Sequence, residues 1–245
     1  LKFVTVALCL AITTNLRPGS ASALDGAATG PSAEATHDTI AAVAPPAHSP
    51  LFSRKDVWFG LVTAGLLSVS VPNDVWLTDE STEGGSPGES RLASTRFLGN
   101  GALVVGGLVV AYGAGRLMNQ DALANGAARV GAAVLVSGAC ALAVKMAVGR
   151  ARPSDAPNDS DDFAPFRGDQ SFPSGHATVA FAFAYAVDHE TRARWVPWVV
   201  YPLATAVAWS RVHENHHWTS DVVAGAMFGM WTADKTLKLV DLRRR

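Results

Sequence analysis

The segment ALANGAARVGAAVLVSGACALAVKMAVGR, residues 122 to 150, contains no proline and only Arg129, Lys145 and Arg150 as charged residues. A run so long and so apolar satisfies its backbone as a helix, buried in protein or in lipid. Its side chains are mostly Ala, Val and Gly, which let neighbouring backbones approach closely. Pro153 is expected to stop it. Five more apolar segments surround it, at 57 to 71, 97 to 117, 176 to 187, 195 to 210 and 219 to 240. The first is expected to end at Pro72-Asn73-Asp74, and the last to open with Thr219 or Ser220 as its N-cap. Strand signals are scarce, so the fold class is all-α, a six-helix bundle.

Residues 1 to 23 read as a signal peptide: Lys2, the apolar run FVTVALCLAITT, then Ala21-Ser22-Ala23 as a cleavage site. Residues 24 to 52 are rich in Ala, Pro, Gly, Ser and Thr and read as a disordered linker. The helical domain is expected over 53–240 and a basic tail over 241–245. Cys9 lies in the leader, so only Cys140 would remain after cleavage, as a small buried hydrophobe with no disulfide partner. The net charge of -1 implies no nucleic-acid partner.

Candidate chemistry sits in three places. Lys145-x6-Arg152-Pro153 puts two cations about two helical turns apart, on one face. A guanidinium can grip two phosphate oxygens while an ammonium adds a point charge. Pro173-Ser174-Gly175-His176 precedes an apolar helix. Backbone N–H groups at a helix N-terminus favour an anion, Ser174 adds a donor, and His176 can exchange a proton near neutral pH. Ser210-Arg211-x5-His217-x3-Asp221 supplies a third cation and an imidazole four residues from a carboxylate. That spacing lets the carboxylate hold one ring nitrogen and leave the other as a nucleophile.

The same stretch contains His213-Glu214-x-x-His217, the letter pattern of a zinc peptidase. No His, Glu or Cys follows His217 to complete the ligand set, so no metal is expected. Each of the three sets lies at the end of an apolar helix, and an antiparallel bundle gathers those ends at one mouth. Phosphoryl transfer needs this inventory: charge stabilisation around the phosphorus, an in-line nucleophile and an acid for the leaving oxygen.

The motifs K-x6-RP, PSGH and SR-x5-H-x3-D, in this order, resemble those of the type 2 phosphatidic acid phosphatase superfamily. Vanadium haloperoxidases and bacterial class A acid phosphatases share that superfamily. The resemblance implies the corresponding helical fold and a metal-independent phosphatase with no cofactor. It implies that His217 becomes a phosphohistidine, Asp221 orients it, and His176 protonates the leaving group and then activates water. Lys145, Arg152, Ser174, Gly175 and Arg211 would hold the phosphate. His213 and His216 would then be rim residues, Glu214 a solvated charge, and Trp218 a wall of the pocket.

The implied substrate is a phosphomonoester or terminal pyrophosphate, of a lipid such as phosphatidate or a polyprenyl carrier, or of a small soluble ester. A vanadate-dependent haloperoxidase and a non-catalytic membrane protein are the other readings. Arg116, Arg129, Arg192, Arg194 and the C-terminal basic residues Lys235, Lys238 and Arg243 to Arg245 would face the cytoplasm in a membrane-embedded form. The active site would then face outward. After signal cleavage, a soluble periplasmic bundle is equally compatible with an external site.

Overall fold

The computed structural model describes residues 50–82, 99–166, 168 and 171–243. The expected signal peptide lies outside them, as do residues 24–49 of the linker and 244–245 of the tail. The described residues are all-helical: α1 (Arg54–Ser70), a 3-10 turn (Val71–Asn73), α2 (Asp74–Thr82), α3 (Gly101–Leu117), α4 (Asp121–Val148), α5 (Gly175–Thr191), α6 (Pro197–His213) and α7 (Thr219–Arg243). The expected all-α bundle is found.

Three boundaries depart from or extend the expectation for local reasons. The first α-helix ends at Ser70, just before Pro72 as expected, but the chain does not leave as a loop there, because Pro72 sits in the first turn of a 3-10 helix, where its missing N–H removes no bond. The chain passes straight on into α2, so α1 and α2 form one bent arm. Thr219 and Ser220 both lie inside α7, whose first turn they form.

The third boundary concerns α4, which stops at Val148, before Pro153 is reached. Gly149 caps it at φ 61°, ψ 44°, with its N–H on the Lys145 carbonyl. A Cβ at Gly149 would lie 2.1 Å from the Ala164 oxygen, so only glycine fits this crossing. Lys145 is therefore in the last turn of α4, while Arg152 lies in the loop beyond it and not on the same helical face.

Helix α5 is the centre of the bundle, packed by α7, α4 and α6. On one side Phe181 meets Tyr201, Val212, Met227 and Met230. On the other, Val179 and Ala182 meet Val130, Val134 and Leu237. The α5–α7 crossing is close enough that a Cβ on Gly225 would lie 2.5 Å from the Ser174 oxygen, and one on Gly229 2.3 Å from the Thr178 oxygen. This small-residue ridge sets the register that brings the start of α5 against the start of α7.

Helix α3 covers α4, and the two present much apolar surface outward, including Val109, Val110, Leu135 and Leu142. By length and composition α4 could cross a membrane, and 28% of its most apolar window is buried in the bundle.

Candidate active site

Helices α4 and α6 end, and α5 and α7 begin, at the same end of the bundle. The residues singled out in the sequence come together there. Lys145 Nζ donates to the Ser171 carbonyl at 3.4 Å, and its Cε lies 3.5 Å from the place a Cβ on Gly175 would take. Ser174, the N-cap of α5, donates its backbone N–H to the Asp221 carbonyl at 2.9 Å. His217 stands in the turn between α6 and α7, with its N–H on the Arg211 carbonyl at 3.3 Å. Its Nδ1 is 3.6 Å from Asp221 Oδ2. Arg211, His217, Lys145 and His216 are the charged and titratable groups that bear on His176. Arg152, from the loop after α4, acts on both Lys145 and His217.

Ser174 has no solvent exposure, and its Oγ has no hydrogen-bond partner among the described residues. A buried hydroxyl without a partner costs about 1–3 kcal/mol, which a ligand accepting from it would recover. At a helix N-terminus among cations, an anionic oxygen fits.

Asp221 is fully buried and saturated. Its Oδ1 accepts from Arg150 Nη1 at 2.7 Å, and its Oδ2 accepts from Ser171 Oγ at 2.5 Å and from the Trp218 N–H at 2.9 Å. Arg150 also donates through Nη2 to Asp74 Oδ2 at 2.8 Å, and through Nε to the Ser160 carbonyl at 2.8 Å. Asp74 in turn accepts the Ser220 N–H at 2.8 Å and Ser220 Oγ at 2.5 Å. Burial pushes the Asp74 carboxyl above its ordinary range, with the bonds from Ser220 and Arg150 working against that shift. For His217, burial lowers the pKa, Asp221 opposes the shift, and Lys145 and Arg152 add to it. The net direction is downward, so the imidazole is neutral and nucleophilic at ordinary pH.

The sequence assigns no chemistry to Arg150, Asp74, Ser171 or Ser220, and marks Asp74 and Ser220 only as helix-boundary residues. Arg150 reads there as one more basic residue beside Arg152, and Asp74 is separated from it by 76 positions. Two other expectations are corrected. Trp218 does not wall an open pocket: it is fully buried, donates its indole N–H to the Ala151 carbonyl at 3.0 Å and packs on the Arg150 guanidinium. Glu214 is not a solvated charge: its side chain is 7% exposed and pairs with Arg211 Nη2 at 2.6 Å. His216 does lie at a rim, its side chain 47% exposed. His213 donates from Nδ1 to the Ser81 carbonyl at 2.7 Å, tying α6 to α2. Because α6 ends at His213, the letters His213-Glu214-x-x-His217 do not share one helical face.

An apolar cleft of about 540 Å³ opens between α3, α5 and α6, lined by Leu103, Gly107, Phe183, Leu203 and Val207 among others. It reaches Ala180, one helical turn along α5 from His176. At that end a Cβ on Gly99 would lie 2.4 Å from Val207 Cγ1 and 3.2 Å from His176 Cβ, so the cleft adjoins the histidine.

A family model described as the PAP2 superfamily matches residues 126–245. YbjG of Escherichia coli strain K12, named as a candidate undecaprenyl-diphosphatase, is 38% identical over 95 residues, 38% of this chain and 48% of that protein. A lipid A 1-phosphatase of Rhizobium johnstonii is 40% identical over 99 residues, 37% of this chain and 38% of that protein. The chain thus spans less than half the length of these relatives. The crystal structure of a transmembrane PAP2-type phosphatidylglycerolphosphate phosphatase from Bacillus subtilis superposes with a TM-score of 0.53 at 20% identity, covering 79% of this chain and 98% of that one. That likeness establishes the shared fold.

Proposed function

We propose that this chain, whose residues 126–245 belong to the PAP2 superfamily, hydrolyses the phosphate or terminal diphosphate of a membrane lipid without a metal. The observation that carries this is the buried Ser174 Oγ at the start of α5, without a partner among the described residues, together with Lys145, Arg152 and Arg211 around two histidines. Such a cage fits a tetrahedral dianion and stabilises the charge that spreads over its oxygens in the transition state.

Neutral His217, oriented through Nδ1 by Asp221, attacks phosphorus from Nε2. The bond to the leaving oxygen breaks, and that oxygen takes its proton from His176, which the charge of the bound phosphate holds protonated against the surrounding cations. His176 then accepts a proton from water as the hydroxide attacks the phosphohistidine. Inorganic phosphate leaves, and both imidazoles return to their starting state.

A lipid substrate is supported by the apolar cleft beside His176, which fits a hydrocarbon chain attached to the phosphate in the cage. The relatives' names point to lipid phosphates too. The outward apolar faces of α3 and α4 and the length of α4 support a bundle embedded in a membrane. Exposed Arg116, Arg192, Arg194 and Arg243 lie at the end away from Ser174, which favours a cytoplasmic location for that end and an external active site in the cell envelope. Arg129 and Lys235 do not contribute to this asymmetry, because both are buried in ion pairs.

Gly107 lines the cleft, and a Cβ there meets nothing within 4 Å. Gly107→Phe starts its side chain in that open space and is expected to narrow the cleft. It is expected to lower kcat/KM for a long-chain lipid phosphate by about tenfold or more, while para-nitrophenyl phosphate hydrolysis in EDTA stays unchanged. Equal loss on both substrates contradicts the lipid assignment, and activity that dies with chelator and returns with zinc contradicts the metal-free mechanism.

A further inference from the structure

Asp221 cannot balance the positive charge that forms on His217 if its own charge is already spent. During the reaction the imidazole keeps its Nδ1 proton while Nε2 bonds to phosphorus, so the ring becomes cationic. The nearest carboxylate, Asp221, is held at 2.7 Å by the Arg150 guanidinium. Taken alone, that ion pair is neutral. It would hold the imidazole in place and offer little net field to the cation.

Asp74 alters this balance. It accepts from Arg150 Nη2, from the Ser220 N–H and from Ser220 Oγ, three donors on one side chain. A carboxyl that accepts everywhere and donates nowhere is bonded as a carboxylate. Asp74, Arg150 and Asp221 then form a buried row of minus, plus, minus with one net negative charge. Asp74 and Asp221 have no exposed surface, and Arg150 is 1% exposed. In such surroundings charges act on each other far more strongly than in water.

Asp74 belongs to α2 and lies outside the matched residues 126–245. His213 on the Ser81 carbonyl fixes the same helix against α6. The N-terminal arm therefore carries a charged group into the interior of the site.

We propose that Asp74, acting through Arg150, is a positioning residue of the reaction: it keeps the Asp221 row net negative, and so stabilises the phosphorylated, cationic His217. The proposal takes His217 as the nucleophile assigned above. A merely structural Asp74 would hold α2 to α7 and leave the titration of His217 untouched. The groups that bear on that titration are Asp221, Lys145, Arg152 and His176, with Ser171 Oγ 3.5 Å from Nδ1.

The experiment uses the full chain and compares wild type, Asp74→Asn, Asp74→Glu and His217→Ala. Folded sites are counted by titration with vanadate, which reads the phosphate cage independently of turnover. Asp74→Asn is expected to lower kcat about 10- to 100-fold with KM within about twofold. With one negative charge gone, imidazolium is disfavoured, so the acid limb of kcat/KM should move to lower pH. Asp74→Glu, which keeps the charge, should recover most of kcat and the wild-type limb.

Unchanged kcat and acid limb in Asp74→Asn overturn the proposal. So does an Asp74→Glu protein as impaired as Asp74→Asn, or loss of vanadate binding in both variants, since either makes the role structural. Activity retained by His217→Ala would instead overturn the nucleophile assignment, so the two failures are distinct.

Discussion

The two ends of the bundle both bury charge, and they do so in different ways. At the end away from Ser174, charges close on one another. Arg129 Nε sits 2.8 Å from both Glu190 oxygens, and its Nη1 is 2.6 Å from Asp241. Lys235 pairs with Asp56 and Asp234, and Asp234 also takes Lys238 and the Tyr185 hydroxyl, each at 2.8 Å. These sets link α1, α4, α5 and α7. At the other end, Lys145, Arg152 and Arg211 act on His176 and His217, and the Ser174 hydroxyl at the same helix start has no partner among the described residues. The far end uses charge to fix helices to each other, while the Ser174 end has closed pairs too, Arg150 with Asp74 and Asp221 and Arg211 with Glu214, and adds to them an open acceptor's place. The second arrangement costs stability that a bound phosphate would restore.

Substitutions at the two ends should therefore separate activity from stability. Ser174→Ala removes a donor aimed at the phosphate and is expected to lower kcat by about 100-fold. The same change relieves an unsatisfied buried hydroxyl, so the melting temperature should hold or rise. A fall in melting temperature with unchanged kcat would reverse the roles assigned to the two ends. Arg129→Leu at the far end should do the opposite: a stability loss of roughly 1–3 kcal/mol from stranded Glu190, with kcat per folded site unchanged. A specific loss of kcat there would show that the ends are coupled.

The helices and the residues that gather at their ends were legible in the sequence for one reason. Apolar periodicity and terminal motifs act over a few residues, and Ser174, His176, His217 and Asp221 each stand at a helix end. What was hidden depends on distant pairing. Pro153 looked like the stop of α4 because proline is a strong local signal, yet Gly149 ends the helix to let the Ala164 carbonyl pass. That earlier stop moves Arg152 off the helix. Glu214 looked solvated because its neighbours His213 and His216 are polar, although Arg211 takes it inside. Trp218 reads as a pocket wall from its place beside His217, whereas its ring is buried against the distant Arg150 guanidinium. Asp74 carried no signal, since an acidic residue after a proline turn is ordinary.

The central claim is the covalent bond between His217 and phosphorus, and rapid acid-free quenching with a radiolabelled substrate tests it most directly. The account predicts an alkali-stable, acid-labile phosphoryl label on the peptide containing His217. It should be absent from His217→Ala, whose turnover falls by about 10⁴-fold or more. Label on Ser174, or steady turnover by His217→Ala, would contradict it.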